Sequence, residues 1–240
     1  MSYADKTVLI TGANRGIGQA LVTEALRRGA ERVYAGTRQP LRHPDRRVTP
    51  LIIDVTDPEQ VRAAAEAVGP LDILVNNAGL ALGDDLGDPA ALERHLAVNL
   101  FGTHRMIQAF LPSLTASRGS IVNVLSAASL AAVPVLPSYS VSKAAAFSLT
   151  QSLRALLAGQ GVSVHAVLAG PVDTDMSRDL PVPKAAPGTV ARAVFDGMDN
   201  GEEEIFPDPM TEPMAAGWRV GAVKELERAN AALLAAPTLT

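Results

Sequence analysis

The stretch Thr7–Gly18 reads TVLITGANRGIG. A short apolar run, Thr7–Ile10, passes through a turn with glycine at 12, 16 and 18. From Gly16 to Arg28 the apolar spacing is that of a helix. Glycine lets the backbone turn tightly and come close to a ligand, and the helix that follows aims free N–H groups and its positive end at the turn. That geometry suits a phosphate. A glycine-rich turn alone is often only a turn. A strand before it and a helix after it make it a dinucleotide-binding candidate. The spacing is G-x-x-x-G-x-G rather than G-x-G-x-x-G, which points to one branch of such folds.

The strand-then-helix rhythm continues outward from this stretch. Apolar runs at Arg32–Ala35, Val48–Ile53, Asp72–Val75, Ser120–Leu125 and Ser163–Leu168 are rich in Val, Ile and Leu, as expected of parallel strands covered on both faces. Helical patterns fall between them at Pro58–Val68, Ala90–Leu114 and Ser138–Ala158. The expected fold is α/β, a Rossmann-type doubly wound parallel sheet in three layers. Toward the C-terminus the pattern weakens. Met176–Pro187 reads as a loop, Thr189–Met198 as a helix, Glu203–Phe206 as a short strand and Pro213–Leu234 as a last helix. With no Gly/Ser-rich linker and no repeat, residues 1–240 are expected to form one domain. Its glycine-loop half runs to about residue 100, and its catalytic half and substrate loop begin at about 101.

The 240 residues are 48% hydrophobic and 19% charged, with a net charge of −4. That is a globular composition, with no basis for a nucleic-acid or membrane-surface role. The absence of cysteine excludes disulfides, cysteine nucleophiles and cysteine-ligated metals. The start lacks the features of a signal peptide, and the longest apolar run, around Leu130 to Leu136, contains Pro134. A cytoplasmic protein is expected. The four histidines show no metal-ligand spacing, and His104 and His165 read as packing or surface residues.

The second strand ends in VYAGTRQP, Val33–Pro40. An NAD binder is expected to place Asp or Glu there for the adenosine ribose. Here the positions hold Thr37 and Arg38. A carboxylate would repel a 2′-phosphate, whereas a guanidinium forms charge-assisted bonds to it. Arg15, within the glycine loop, could close on the same phosphate. Either arginine alone could as well be a solvated charge. Together, with the acid missing, they favour NADP(H) over NAD(H).

A second constellation lies in PSYSVSKAAAF, Pro137–Phe147, where Tyr139 and Lys143 stand four residues apart. On a helix they share a face and can act on one point. Alone, the pair would read as a half-buried tyrosine beside a snorkelling lysine.

With these residues in view, the chain resembles the short-chain dehydrogenase/reductase family from roughly Lys6 to Met176. Thr11–Gly18 fits the glycine motif, and Asp54–Val55 looks like the adenine-contacting pair. Asn76-Asn77-Ala78-Gly79 matches the NNAG segment. Asn99 falls at the structural and catalytic asparagine, and Ser126, thirteen residues before Tyr139, at the catalytic serine. Tyr139 and Lys143 fit Tyr-x-x-x-Lys. Gly170-Pro171-Val172-Asp173-Thr174 resembles the loop that contacts the nicotinamide.

The resemblance implies NADP(H) as cofactor and a catalytic set of Asn99, Ser126, Tyr139 and Lys143. Tyr139 would be general acid for carbonyl reduction and general base for alcohol oxidation. The lysine's ammonium would lower the tyrosine pKa and bond the nicotinamide ribose. Ser126 would bond the substrate oxygen, and Asn99 would hold a water linking Lys143 to solvent. The cofactor would be held by Gly12, Asn14, Arg15, Gly16, Ile17, Gly18, Thr37, Arg38, Asp54, Val55, Asn77, Ala78 and Gly79. Tyr139, Lys143, Pro171, Val172 and Thr174 complete that set. Asp54, before Thr56-Asp57-Pro58, could equally be loop chemistry ahead of a helix. Leu80, Ala127, Ala128, Leu136, Gly170, Met176 and Leu180 would surround the carbonyl. They are small or apolar, so the expected substrate is an uncharged hydrophobic ketone, aldehyde or secondary alcohol.

There are departures from the family pattern. Leu125 replaces the first of two serines, Ala169 replaces a proline, and EEEIFPDPMTEPMAAGWRV (Glu202–Val220) replaces the usual C-terminal end. A homodimer through the long helices is expected, with a tetramer left open. A 3-oxoacyl-carrier-protein reductase is the runner-up within this chemistry. A non-catalytic NADP(H)-binding sensor is the alternative outside it.

Overall fold

The computed structural model describes residues 3–235. Seven parallel strands form one sheet: β1 (Thr7–Thr11), β2 (Arg32–Thr37), β3 (Val48–Ile52), β4 (Ile73–Asn76), β5 (Ser120–Val124), β6 (Ser163–Val167) and β7 (Glu204–Ile205). Their order is β3-β2-β1-β4-β5-β6-β7. The order reverses between β1 and β4, and such a reversal opens a crevice beyond the carboxyl ends of the strands, where ligands bind in folds of this kind.

Helices α1 (Gly16–Arg27), α2 (Pro58–Val68), α3 (Pro89–Leu96), α4 (Thr103–Ser117), α5 (Pro137–Leu157), α6 (Pro187–Asp199), α7 (Met214–Arg219) and α8 (Ala222–Ala231) complete the chain. The two-residue period of a strand divides the core into two layers. Val8, Ile10, Val33 and Ala35 face one way, onto Leu21 and Val22 of α1 and Val194 and Phe195 of α6. Leu9, Tyr34 and Leu74 face the other, onto Val61 of α2, Met106 and Phe110 of α4 and Leu153 of α5. The expected strands are present, with ends shifted by a residue or two.

Two expected helices are not continuous. The one expected over Ala90–Leu114 is interrupted by a π turn, Ala97–Gly102, between α3 and α4. Its cause is tertiary. Asn99 accepts a hydrogen bond from Leu80 N (2.8 Å) and donates to Leu80 O (2.9 Å) and to Ser142 Oγ (2.8 Å). Gly102 lies so close to Val55 that an added Cβ would sit 2.6 Å from Val55 Cγ2. Holding both contacts displaces one turn from the α-helical ladder, as π bulges at functional sites commonly do. The expected last helix, Pro213–Leu234, breaks at Gly221, which is extended and separates α7 from α8. A 3-10 turn, Ala232–Ala235, follows α8. Among the described residues no helix is long and apolar enough to cross a membrane.

Candidate functional site

The glycine loop is held in shape from the neighbouring strand. Thr11 Oγ1 accepts hydrogen bonds from Asn77 N and Ala78 N, both at 3.0 Å. Asn77 Nδ2 donates to Thr11 O (2.9 Å) and Gly12 O (3.1 Å). The NNAG segment is therefore a clamp as well as a turn. Gly12 has φ +65°, a left-handed conformation that disfavours other residues. At Gly18 a Cβ would fall 2.1 Å from Gly12 O, so the loop folds onto its own helix only because no side chain is there. A Cβ on Gly16 would likewise press on Thr174 Cγ2 at 2.9 Å, so the loops after β1 and β6 meet over the crevice.

One cleft is lined by most of the expected cofactor residues: Gly12, Asn14, Arg15, Gly16, Ile17, Gly18, Thr37, Arg38, Asp54, Val55, Asn77, Ala78, Gly79, Tyr139, Lys143 and Thr174. Leu80 and Met176 of the expected substrate set line it too. Sequence reasoning missed Ile53, Val98, Val124, Leu125 and Asp175, which complete the wall. Pro171, Val172, Ala127, Ala128, Leu136, Gly170 and Leu180 do not line this cleft. The last five belong to the loops after β5 and β6 beside it.

Thr37 is buried, its hydroxyl donating to Gln39 O, and Arg38 is exposed at the cleft edge. Arg15 lies on the same wall but is ion-paired at 2.9 Å with Asp175, which also pairs with Arg178. The expectation that Arg15 closes on the same phosphate as Arg38 thus meets a competing partner. Asp54 accepts bonds from Thr56 N and Thr56 Oγ1, so it plays the local turn role and also faces the cleft. Val172 O accepts a hydrogen bond from Ser177 Oγ, and Val172 bridges to Ala185, which closes the loop between β6 and α6 on itself.

Tyr139 and Lys143 project from the first turns of α5, which begins at Pro137, a residue suited to that position. Tyr139 is hydrogen-bonded to Ser126, and Ser126 Oγ also accepts from Ala128 N at 3.1 Å. Lys143 is 6% exposed, and its Nζ donates to Val124 O at 2.8 Å and stands 5.7 Å from the Tyr139 ring centre. Asn99 completes the group through Ser142, whose hydroxyl donates to Tyr139 O at 2.7 Å. Gly79 keeps open the space between Asn99 Oδ1 and Lys143 Nζ, 3.4 and 3.7 Å from where its Cβ would be.

The electrostatics correct one expectation. Burial raises the Tyr139 pKa above its ordinary value, and the hydrogen bond to Ser126 opposes this only in part. The same burial pushes the Lys143 ammonium down to about 8. Desolvation therefore outweighs the expected pull of the ammonium on the phenol.

For Lys143, the folded value of about 8 lies below the ordinary value of 10.5, so the unfolded chain holds more protons between those pH values. Its burial penalty is full below pH 8, and stability rises with pH across that window. The gap amounts to roughly 3 kcal/mol. Chemical denaturation of the protein and of Lys143→Met is expected to show the wild type gaining on the variant as pH rises from 8 toward 10.5. A constant difference between the two would show that the ammonium carries no burial penalty.

His95 was not singled out from the sequence, where it looks like one more residue of an amphipathic helix. It is fully buried. Its Nε2 accepts from Leu82 N at 3.0 Å, so Nδ1 carries the proton donated to Ala91 O at 2.7 Å. Its ring meets Tyr139 edge-on at 6.5 Å, which steadies both the tyrosine and the loop after β4.

Comparison with known proteins agrees with this geometry. The short chain dehydrogenase family model matches residues 6–184. An uncharacterized oxidoreductase of Staphylococcus saprophyticus is 37% identical over 84% of this chain and 90% of its own length. Short-chain dehydrogenase/reductase 3 of Bos taurus is 34% identical over 80% of this chain and 72% of its own. A crystal structure of a short chain dehydrogenase from Burkholderia cenocepacia, in complex with NADP, superposes with a TM-score of 0.87. It is 39% identical and covers 99% of this chain and 100% of that one. The chain belongs to the short-chain dehydrogenase/reductase family of oxidoreductases.

Proposed function

We propose that the protein reduces uncharged hydrophobic ketones or aldehydes with NADPH, and oxidises the corresponding alcohols with NADP. The observation that carries this reading is the Tyr139 hydroxyl bonded to Ser126, one helical turn from Lys143, on the wall of the cleft that the glycine loop opens. The cradle fits a dinucleotide, because Gly12 and Gly18 leave backbone where any Cβ would collide. The similar Burkholderia enzyme was crystallised with NADP.

The cofactor supplies or accepts the hydride at the carbonyl carbon. Tyr139 gives its proton to the carbonyl oxygen as negative charge grows there, and Ser126 steadies that oxygen with a second hydrogen bond. The raised pKa of Tyr139 keeps it protonated at neutral pH, the state that reduction needs. Lys143 stands next in line to return a proton to Tyr139. The space kept by Gly79 beside Asn99 suits a water that connects Lys143 to solvent. Thr174, on the cleft wall, would hold the nicotinamide amide, and Arg38, at the cleft edge, would take the 2′-phosphate. Phe101, Val141 and Leu156 are exposed apolar residues on the π turn and α5, and they suit the pairing of two copies.

The test is oxidation of NADPH, and separately of NADH, across a panel of neutral carbonyls. Turnover confined to anionic substrates, or none at all despite cofactor binding, would sink the reading. Arg38→Asp is expected to weaken NADPH binding about tenfold more than NADH binding, since a hydrogen bond to a charged group is worth about 1.5–3 kcal/mol and this one is exposed. Equal weakening in fluorescence titrations would remove Arg38 from recognition of the phosphate.

A further inference from the structure

After β7 the chain folds back over the active side of the sheet, and one buried carboxylate fixes where it lands. Asp208 is 4% exposed. Its Oδ2 accepts from Gly170 N at 2.7 Å and from Thr211 Oγ1 at 3.0 Å. Its Oδ1 accepts from Met210 N at 3.1 Å and Thr211 N at 3.2 Å. A charged acceptor gathering this many donors holds a segment firmly. Gly170 follows Ala169, whose carbonyl accepts from Ala127 N at 2.9 Å, and Ala127 follows Ser126. The returning segment is thus tied, through two hydrogen bonds, to the strand end that carries the serine.

The contact is close. A methyl group on Gly170 would stand 2.8 Å from Asp208 Oδ1 and 3.1 Å from Met210 Sδ. Behind the tie, Trp218 packs on Phe147 with ring centres 5.7 Å apart, and Ala215 and Trp218 cover the small core formed by Leu125, Phe147 and Phe206. In front of it, Met210 and Met214 remain 63% and 40% exposed. The neighbouring loops at the same end of the sheet also turn large apolar side chains to solvent: Leu82 after β4, Val135 after β5 and Met176 after β6. Four successive loops each bring such a residue to the carboxyl ends of the strands. Apolar exposure gathered at one end of the sheet marks a binding surface, and Leu80 and Met176, on two of these loops, line the cleft itself.

We propose that residues 207–218, pinned by Asp208 to Gly170, form the outer wall of the substrate site, and that an extended apolar tail on the carbonyl substrate covers it. The inference rests on the reductase reading above. It narrows the substrate from any neutral ketone or aldehyde to one with a long aliphatic or polycyclic body reaching beyond the carbonyl pocket. Met210 and Met214 set specificity, since unbranched thioethers adapt to tails of varied shape. Asp208 is a positioning residue, which acts through Gly170 and Met210.

The experiment is kcat/KM with NADPH for straight-chain methyl ketones from butanone upward, for the wild type, for Met210→Ser/Met214→Ser and for Asp208→Asn. The wild type is expected to gain about three- to fourfold per added methylene over several methylenes, as apolar burial predicts. The ratio of long-chain to butanone kcat/KM should fall about tenfold or more in the methionine double variant, because polar side chains replace its apolar contacts. Asp208→Asn should lower the same ratio chiefly through KM for the long ketones. A global loss of folded protein would depress every substrate alike and leave the ratio where it was. Turnover of butanone with no dependence on chain length, or an unchanged ratio in the methionine variant, overturns the proposal while leaving the reductase reading standing. No turnover of any ketone removes both.

Discussion

Tyr139→Phe is expected to lower kcat for carbonyl reduction by about 10²- to 10⁴-fold, the usual contribution of a positioned general acid. NADPH should still bind, because the cradle is built by Gly12, Gly18 and the Thr11–Asn77 clamp. Phe keeps the ring and its edge-on contact with His95, and loses the hydroxyl bonded to Ser126. The loss should appear in single-turnover oxidation of bound NADPH and not in cofactor titration, which separates chemistry from binding. The direction of the Tyr139 shift adds a pH signature. With its pKa raised by burial, Tyr139 stays protonated through neutral pH, so reduction should change little there. Alcohol oxidation needs the deprotonated form and should climb as the solution becomes alkaline, and the variant should lose that climb. Single-turnover rates equal to wild type would remove Tyr139 from the reaction, and cofactor binding without turnover in either protein would bring the sensor alternative forward.

The parts of the site legible in the sequence are those encoded locally. The turn Thr11–Gly18 carries its own constraints in Gly12 and Gly18, and Tyr139 and Lys143 share a face because four residues make about one helical turn. Asn99 was found by its place in a motif, but what it does to the backbone was not legible. Residues 90–114 keep a helical period throughout, and the π turn arises only when Asn99 meets Leu80, nineteen residues away. The direction of the Tyr139 pKa shift is illegible in the sequence for a related reason. The charge of its neighbour shows in the sequence, whereas the burial that outweighs it belongs to the finished fold. The tie between Asp208 and Gly170 spans thirty-eight residues, and His95 acts through Leu82, so neither had a local signal. Gly221 did carry one, since glycine within a helical pattern is a natural break. The apolar residues that continue on both sides of it mask that break.

Lys224→Met is expected to cost about 3–5 kcal/mol of stability, the usual effect of removing one partner from a buried ionic group. Lys224 is 2% exposed, and its ammonium reaches Glu203 at 2.7 Å, Glu204 at 2.9 Å and Glu227 at 3.0 Å. Arg154 of α5 pairs with Glu204 at 2.8 Å and also with Glu227. Two cations and three carboxylates thus join α8 to α5 and to β7, the edge strand from which residues 207–218 depart. Without Lys224, Glu204, itself buried, keeps Arg154 as its ionic partner among the described residues, and an under-compensated charge there is far costlier than at the surface. For a chain of this size the loss corresponds to a fall in Tm of roughly 6–20 °C. Adding Glu204→Gln to the variant should recover part of it, because the second change removes the stranded charge. The effect should also change little with added salt, which screens exposed pairs and leaves buried ones largely untouched. A Tm within a degree or two of wild type would mean that water reaches the cluster and that α8 is held by its apolar contacts alone. A large fall together with a reduced long-chain to butanone ratio would show that the C-terminal helices hold in place the wall on which Met210 and Met214 stand.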